Sequence, residues 1–422
     1  MITFKNTVKG AFRIGQTAAV VSRTGINWLR GDRAPAPKVL RETFESLGAT
    51  YVKLGQFVAS SPTFFPREYV DEFQYCLDRT KPLPFSTMKR ILEEEFGAEL
   101  TNIFKEIDSN PLASASIAQV HAAKLITGED VVIKIQKPGV ENILLTDLNF
   151  LYASAKILEF IAPKISWTSL SGIVEEIQRT MMEECDFIKE AQNLRAFKEF
   201  LIRTNNSDVT VPQVYGHAST RRVLTMERFY GVPLIDLETI RKYCDDPERT
   251  LITAMNTWFS SLTQCEFFHA DVHAGNLMVL RDGRIGFIDF GIVGRIPEGA
   301  WEAMSEFISS IMVGNFDAMA DSMIRIGVTK KHVSAKDLAD DIRRLYKRLD
   351  SMVPDYEKLM TNEEDEVNNI LMDIVKIGEQ HGIHFPREFA LLLKQFLYFD
   401  RYVHVLAPEL DMFIDDRLNM LH

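Results

Sequence analysis

Eight consecutive residues, His269-Ala270-Asp271-Val272-His273-Ala274-Gly275-Asn276, and a later triplet, Asp289-Phe290-Gly291, carry the plainest chemistry in this chain. Asp271 and Asn276 stand five positions apart, and Asp289 follows Asn276 by thirteen. A carboxylate, an amide and a second carboxylate in that order and spacing are the parts of a phosphoryl-transfer site. Asp271 would orient the attacking group, while Asn276 and Asp289 would hold Mg²⁺ against the phosphates of a nucleotide, ATP or ADP. Magnesium takes hard oxygen ligands, and this set offers only those. The Asp-Phe-Gly triplet alone recurs by chance; the two motifs in series carry the reading. His269 and His273, four apart, suit zinc by spacing. No third ligand accompanies them, and the first histidine of such a loop is structural.

The other parts of such a site lie upstream. Val131-Val132-Ile133-Lys134 is an apolar strand ending in a lysine that can neutralise α- and β-phosphates. A lysine stem is flexible and needs a carboxylate to hold it; Glu190, 56 residues on in a predicted helix, fits. A phosphate loop belongs before the strand, yet neither GxGxxG nor GxxxxGK[ST] is present. Its place holds Ala113-Ser114-Ala115-Ser116-Ile117-Ala118-Gln119-Val120-His121. Alanine resists positive φ, so this loop is stiffer than a glycine loop, and its serine hydroxyls can replace some backbone donors. Adenine would meet the backbone of Met226-Glu227-Arg228-Phe229, a candidate hinge with Met226 and Phe229 at its ends.

The elements that must position these residues follow from periodicity. Ala34-Pro35-Ala36-Pro37 is a linker, and helical patterns punctuated by Pro62, Pro66, Pro82 and Pro84 fill residues ~38–105. Strands are predicted at Ile117–Leu125 and Val131–Gln136 about a Thr127-Gly128-Glu129-Asp130 turn, and at Val209–Val214 and Arg222–Arg228. Helices are predicted over ~141–162 and ~168–202. From ~234 the pattern is mainly helical, broken by strands near Met278 and Ile288, and ~332–422 reads as a helical bundle. The expected division is 1–37, a basic leader and linker; 38–105, a helical extension; 106–228, a sheet-rich lobe; 229–331, a catalytic lobe; and 332–422, the tail.

Composition narrows the classes. An apolar fraction of 46% excludes wholesale disorder, and a net charge of −11 argues against nonspecific nucleic-acid binding. The four cysteines form no CxxC, which indicates packed thiols in a reducing compartment. No run reaches the ~20 apolar residues that span a bilayer; Leu391–Phe399, for one, is interrupted by Lys394. Residues 1–30 hold Lys5, Lys9, Arg13, Arg23 and Arg30 and no acid, with Phe4, Val8 and Phe12 at four-residue steps. That pattern suits a membrane-surface helix, a helix docked on the protein's own body, or an organellar leader. The expected location is cytoplasmic and peripheral at the inner face of a membrane, or organellar if the leader reading holds. Glu363–Glu366 reads as a solvated helix end.

With these residues in view, the chain resembles the UbiB/AarF (ABC-one, coenzyme-Q-linked) family of atypical kinases from about residue 38 to 405. Tyr51-Val52-Lys53-Leu54-Gly55-Gln56 matches the family's KxGQ motif and Ala113–His121 its alanine-rich loop. Glu184-Cys185-Asp186 matches ExD, with Glu190 as the lysine-pairing glutamate, and His269, Asp271, Asn276 and Asp289 match the HxD…N and DFG elements. The resemblance implies an α+β, protein-kinase-like bilobal fold with a helical N-terminal KxGQ extension and a helical C-terminal tail. It implies that Lys53, with Gly55 and Gln56, belongs to a helical lid and that Lys53 pairs with Glu184 or Asp186, blocking protein substrates. It also implies an Mg²⁺- and ATP-dependent kinase or ATPase serving isoprenoid quinone biosynthesis or distribution at membranes. The partners would be a lipid or quinone intermediate and quinone-biosynthesis enzymes. Ser61-Pro62-Thr63 departs from the Arg-Pro-Asp triplet common after KxGQ, and the two C-terminal hydrophobic spans of many bacterial members have no counterpart. Residues 1–30, and less so Phe64-Phe65, are then the expected membrane contact.

Two other functions stand beside this one. A nucleotide-gated scaffold that extracts lipids without phosphorylating an acceptor would have no need of Asp271. An ordinary Ser/Thr kinase is opposed by the missing glycines and by the short stretch after Gly291, which holds no Ser, Thr or Tyr as far as Ala303.

Overall fold

Alternation along Asp130–Gln136 organises the first half of the chain. In the computed structural model Val131, Ile133 and Ile135 are fully buried, while Val132 and Lys134 between them are partly exposed. One strand face therefore builds a core and the other presents Lys134. The structure describes residues 35–59, 67–73, 75, 81–161, 170–273, 275–296, 300–329, 333–352, 373–374, 377–378, 380–410, 412 and 415–418. The basic stretch 1–30, Ser61–Thr63, Phe64-Phe65 and the charge run at 363–366 lie outside the described residues, as do the side chains of Lys53 and Gln56.

The described residues cluster into two compact units. The first runs to Gln192 and includes Gln213–Arg228; the second comprises Asn193–Pro212 and the residues from Phe229 onward. The described residues between 333 and 418 fall in the same compact unit as the described residues of 229–329.

The first unit begins with α1 (Ala36–Leu47), α2 (Ala49–Ala59) and α3 (Arg67–Phe73). Val52, Val58 and Phe73 form their core with Phe44 and Tyr69 against it, and Arg41 ties α1 to Glu72 of α3 at 2.8 Å. α4 (Phe85–Phe96) precedes β1 (Phe104–Ser114), β2 (Ala118–Leu125) and β3 (Asp130–Gln136). Then come α5 (Val140–Ile161), α6 (Leu170–Glu184) and α7 (Phe187–Arg203), within which the chain leaves the first unit. After β4 (Val209–Thr210, in the second unit), β5 (Val223–Glu227) completes an antiparallel sheet of order β1-β2-β3-β5. Met88, Ile91 and Leu92 of α4 pack on Leu125, Val131, Ile133 and Ile135 of the sheet.

The single helix read over 168–202 is two, α6 and α7, because Asp186 accepts hydrogen bonds from the backbone N–H of Ile188 and Lys189 and so starts a new helix. The strand read over Val209–Val214 shrinks to Val209–Thr210, with Val214 making only an isolated bridge to Met226.

In the second unit β6 (Gly231–Pro233), β8 (Leu277–Leu280) and β9 (Ile285–Phe287) join β4 in a sheet of order β4-β9-β8-β6, with β4 and β9 parallel. β7 (Phe268–His269) and β10 (Val293–Gly294) form an antiparallel pair. The longer helices among the described residues are α8 (Pro247–Gln264), α9 (Ala300–Met312), α10 (Phe316–Ile326), α11 (Ala335–Met352) and α12 (Arg387–Leu406). Trp258 of α8 packs among Phe268, Phe396 and Phe399, and its indole N–H donates to His269 O at 2.8 Å. A second cluster joins Phe197, Phe267, Phe287 and Phe290. No helix among the described residues is long and apolar enough to cross a membrane.

β7 and β10 bracket the candidate catalytic segments, and Gly294 lets them close. A Cβ there would fall 2.2 Å from Cζ of Phe268, a ring only 1% exposed. Gly294→Ala is expected to destabilise the second unit by about 1–3 kcal/mol through overpacking, read as a lowered urea midpoint with an unchanged slope.

Candidate active site

The hairpin β8–β9 brings the two expected metal ligands together. Leu277 pairs with Phe287, and just beyond them Ile288 N donates to Asn276 O at 2.9 Å. Asn276 is thereby beside the residue that precedes Asp289. Asn276 is buried, and its Nδ2 donates to the backbone carbonyl of Asp271 at 2.9 Å. With the amide nitrogen so engaged, Oδ1 is the atom it can offer a cation. Asp289 has φ of 59°, one of the two non-glycine residues with positive φ among the described residues, and its Oδ1 accepts from Gly291 N at 3.3 Å. Aspartate tolerates this left-handed conformation better than most residues, but it remains an uncommon one. An amide oxygen and a carboxylate suit Mg²⁺, which keeps several waters and draws its other ligands from phosphates.

His269 is fully buried and structural, as expected. Its Nε2–H donates to Ile288 O at 3.0 Å, and its Nδ1 accepts from Asp271 N at 3.1 Å. Burial holds its pKa down, which fits the neutral tautomer these partners require. Phe290 stacks edge-on against His269 at 4.5 Å, and Asn193 Nδ2 holds Phe290 O at 3.0 Å. Asn193 escaped the sequence reading; a helix residue that serves a distant carbonyl leaves no local signal.

Asp271 meets Lys394 of α12, whose Nζ lies 3.1 Å from Oδ1. Burial pushes the Asp271 carboxyl up, but the Lys394 ammonium and the His273 ring outweigh it and hold the group well below the usual carboxylate range. In the sequence Lys394 registers only as a break in an apolar run; nothing local pairs it with a residue 123 positions away.

In the first unit Lys134 Nζ donates to both carboxylate oxygens of Glu190 at 3.0 Å, and it lies 5.3 Å from the centroid of the Phe187 ring. With side-chain exposures of 12% and 1%, the lysine is largely and the glutamate fully withdrawn from solvent. The spacing-based pairing of Lys134 with Glu190 is thus formed. Glu184 ends α6 half-buried, and Asp186 caps α7. Gly55 is buried within α2, which packs against α5 and α6; the Lys53 side chain, and with it the expected pairing to Glu184 or Asp186, lies outside the described residues.

The alanine-rich loop is shorter than the motif suggested. Ala113 and Ser114 end β1, Ala118 begins β2, and only Ala115, Ser116 and Ile117 form the turn. Ala115 N donates to Ala118 O at 2.9 Å, and Lys137 grips the turn twice, through Nζ to Ala115 O at 2.6 Å and through N to Ile117 O at 2.8 Å. Ser116 and Ile117 are buried. Met226 sits inside β5, paired with Val132, so the linking stretch begins after it; Phe229 packs its ring where a Cβ on Gly286 would come within 2.9 Å. Replacing Ala115 by glycine is expected to loosen the turn by about 0.5–1 kcal/mol and to change the ratio of ATP to ADP affinity severalfold. Competition binding with both nucleotides reads this, and an unchanged ratio would mean that the turn only packs.

Residues 75–323 match the model of the ABC1 atypical kinase-like domain. A chloroplastic aarF domain-containing protein kinase of Arabidopsis thaliana is 50% identical over 402 residues, covering 91% of this chain and 74% of its own. A Mycobacterium tuberculosis protein is 34% identical over 420 residues, covering 97% and 83%. A probable protein kinase UbiB of Azotobacter vinelandii is 28% identical over 391 residues, covering 91% and 71%. Among solved structures, that of the Rv3197–erythromycin complex of M. tuberculosis shares the fold, with a TM-score of 0.53, 23% identity, and coverage of 84% of this chain and 91% of that one. The α+β, kinase-like fold expected from the motifs is the fold found.

Proposed function

The chain belongs to the ABC1 atypical kinase-like family, and on that premise we propose that it is an Mg²⁺- and ATP-dependent phosphotransferase or ATPase that supports isoprenoid quinone lipids at a membrane surface. The observation that carries this reading is the complete ordered set: the Lys134–Glu190 pair, and Asp271, Asn276 and Asp289 arranged around one hairpin. Lys134 meets the α- and β-phosphates. Asn276 and Asp289 would hold Mg²⁺, which would neutralise charge on the phosphates. Asp271 takes the proton of the attacking hydroxyl as its oxygen bonds to the γ-phosphorus; the bond from that phosphorus to the β,γ-bridging oxygen breaks, and ADP leaves with the electron pair.

The acceptor is small, lipid-like, or water. Only 11 residues separate Gly291 from Ala303, with no Ser, Thr or Tyr among them, too few for a platform that holds a polypeptide. The name UbiB on relatives supports the quinone link, and the chloroplastic label of the plant relative supports an organellar address. Membrane contact is assigned to the basic stretch 1–30. The test is lipid and quinone-intermediate profiling in cells lacking the protein, complemented with wild type, with Asp271→Asn, or with a chain deleted for 1–30. Wild type alone should restore the profile fully. Full restoration by Asp271→Asn would replace phosphoryl transfer with a nucleotide-gated scaffold, and full restoration by the deletion would end the membrane-helix assignment.

A further inference from the structure

One cation on α12 is largely withdrawn from water. The Lys394 side chain is only 22% exposed, and its Nζ lies 5.5 Å from the centroid of the Tyr398 ring one turn along the helix. Withdrawing an ammonium from water is unfavourable unless a partner offsets it, so a leucine or methionine would fill this position more favourably if packing were its only task. Asp271 Oδ1, at 3.1 Å, supplies an opposite charge. The neighbouring residues of α12 hold the backbone on either side of that aspartate. Gln395 accepts from Val272 N at 2.9 Å and donates to Ala270 O at 2.8 Å, and Tyr402 donates its hydroxyl to Val272 O at 2.6 Å. The two oxygens of Asp271 are thereby made different. Oδ1 is taken by the ammonium, while Oδ2 stands 3.5 Å from both His273 Nε2 and Asn276 Nδ2, too far for either to be a strong hydrogen bond.

Resting on the phosphoryl-transfer reading above, we infer that Lys394 is a positioning residue for Asp271. By tying Oδ1 it fixes the carboxylate plane and presents Oδ2 to the attacking hydroxyl. The proton of that hydroxyl passes to Oδ2; Lys394 itself gives up no proton and touches neither nucleotide nor acceptor. The C-terminal helix is then part of the catalytic apparatus, supplying from 123 residues away what the His269–Asn276 loop does not contain.

The experiment is nucleotide turnover by the full chain in Mg²⁺, for wild type, Asp271→Asn, Lys394→Met, Lys394→Arg and the double variant Asp271→Asn/Lys394→Met. Mg-ATP affinity by calorimetry and thermal melting accompany it. Misplacing a catalytic group costs about 10²-fold, so Lys394→Met should lower kcat by that order while KM and nucleotide affinity stay within about threefold. Lys394→Arg, which keeps the charge, should recover much of the loss. The double variant should be no slower than Asp271→Asn alone, because both changes act through one carboxylate. A merely structural lysine would instead multiply the two losses, and that result overturns the inference, as does wild-type kcat in Lys394→Met. If Asp271→Asn itself turns over like wild type, the phosphoryl-transfer reading falls and this inference with it. Should Lys394→Met melt early, Lys394→Gln, which keeps a donor without the charge, is read by the same criteria.

Discussion

Lys134→Met is expected to destabilise the first unit by about 3–5 kcal/mol, the largest stability loss of any single substitution considered. Glu190 is 1% exposed at its side chain and receives both of its 3.0 Å hydrogen bonds from Lys134 Nζ. Removing the lysine leaves a poorly solvated carboxylate without the ammonium that donates to both of its oxygens. The double variant Lys134→Met/Glu190→Leu removes both charges and fills similar volume, so it should regain most of the stability. It should not regain nucleotide affinity, because the cation that meets the phosphates is still missing. Denaturant unfolding separates the two effects from calorimetric binding. If Lys134→Met unfolds like wild type, the pair is not the buried clamp described; if the double variant binds Mg-ATP normally, Lys134 has no phosphate to meet.

Why that pair was legible, and Lys394 was not, is a matter of pattern range. Lys134 ends a run whose alternate residues Val131, Ile133 and Ile135 build the core, so the strand period alone puts the lysine on the other face. Glu190 lies in the first turn of α7, a helix announced by its apolar spacing. The hairpin β8–β9 was similarly marked by short apolar strands at the right distance from Asp271 and Asp289. By contrast, the break between α6 and α7 depends on a single capping carboxylate, Asp186, inside an otherwise continuous helical pattern. β1 carries register shifts around Pro111 and so shows no clean alternation. β4 is two residues long and exists only because it pairs in parallel with Ile285–Gly286, far along the chain. Asn193, Gln395, Tyr402 and Lys394 all act on carbonyls, amides or carboxylates distant in sequence. Such contacts are specified by tertiary packing, and a one-dimensional pattern does not encode them.

Asp289→Asn should lower Mg²⁺-dependent nucleotide turnover by about 10²–10³-fold, the loss of several kcal/mol of charge stabilisation at the phosphates. The substitution suits the backbone. Asparagine accepts the φ of 59° found at this position as readily as aspartate does, and its side-chain oxygen can still receive the Gly291 N–H. The fold should therefore survive, with melting near that of wild type, while the proposed metal site loses the Asp289 carboxylate. Raising the Mg²⁺ concentration should recover part of the rate. Equal rates for Asp289→Asn and wild type would show that the Asp-Phe-Gly triplet does not hold a working metal.

The most direct measurement is a calorimetric titration of ATP into the full chain, in Mg²⁺ and in EDTA, for wild type and for Asp289→Asn. Saturable one-to-one binding that needs the metal and weakens at least tenfold on losing Asp289 is the predicted result. Absence of binding, or binding indifferent to both the metal and the carboxylate, would contradict the account.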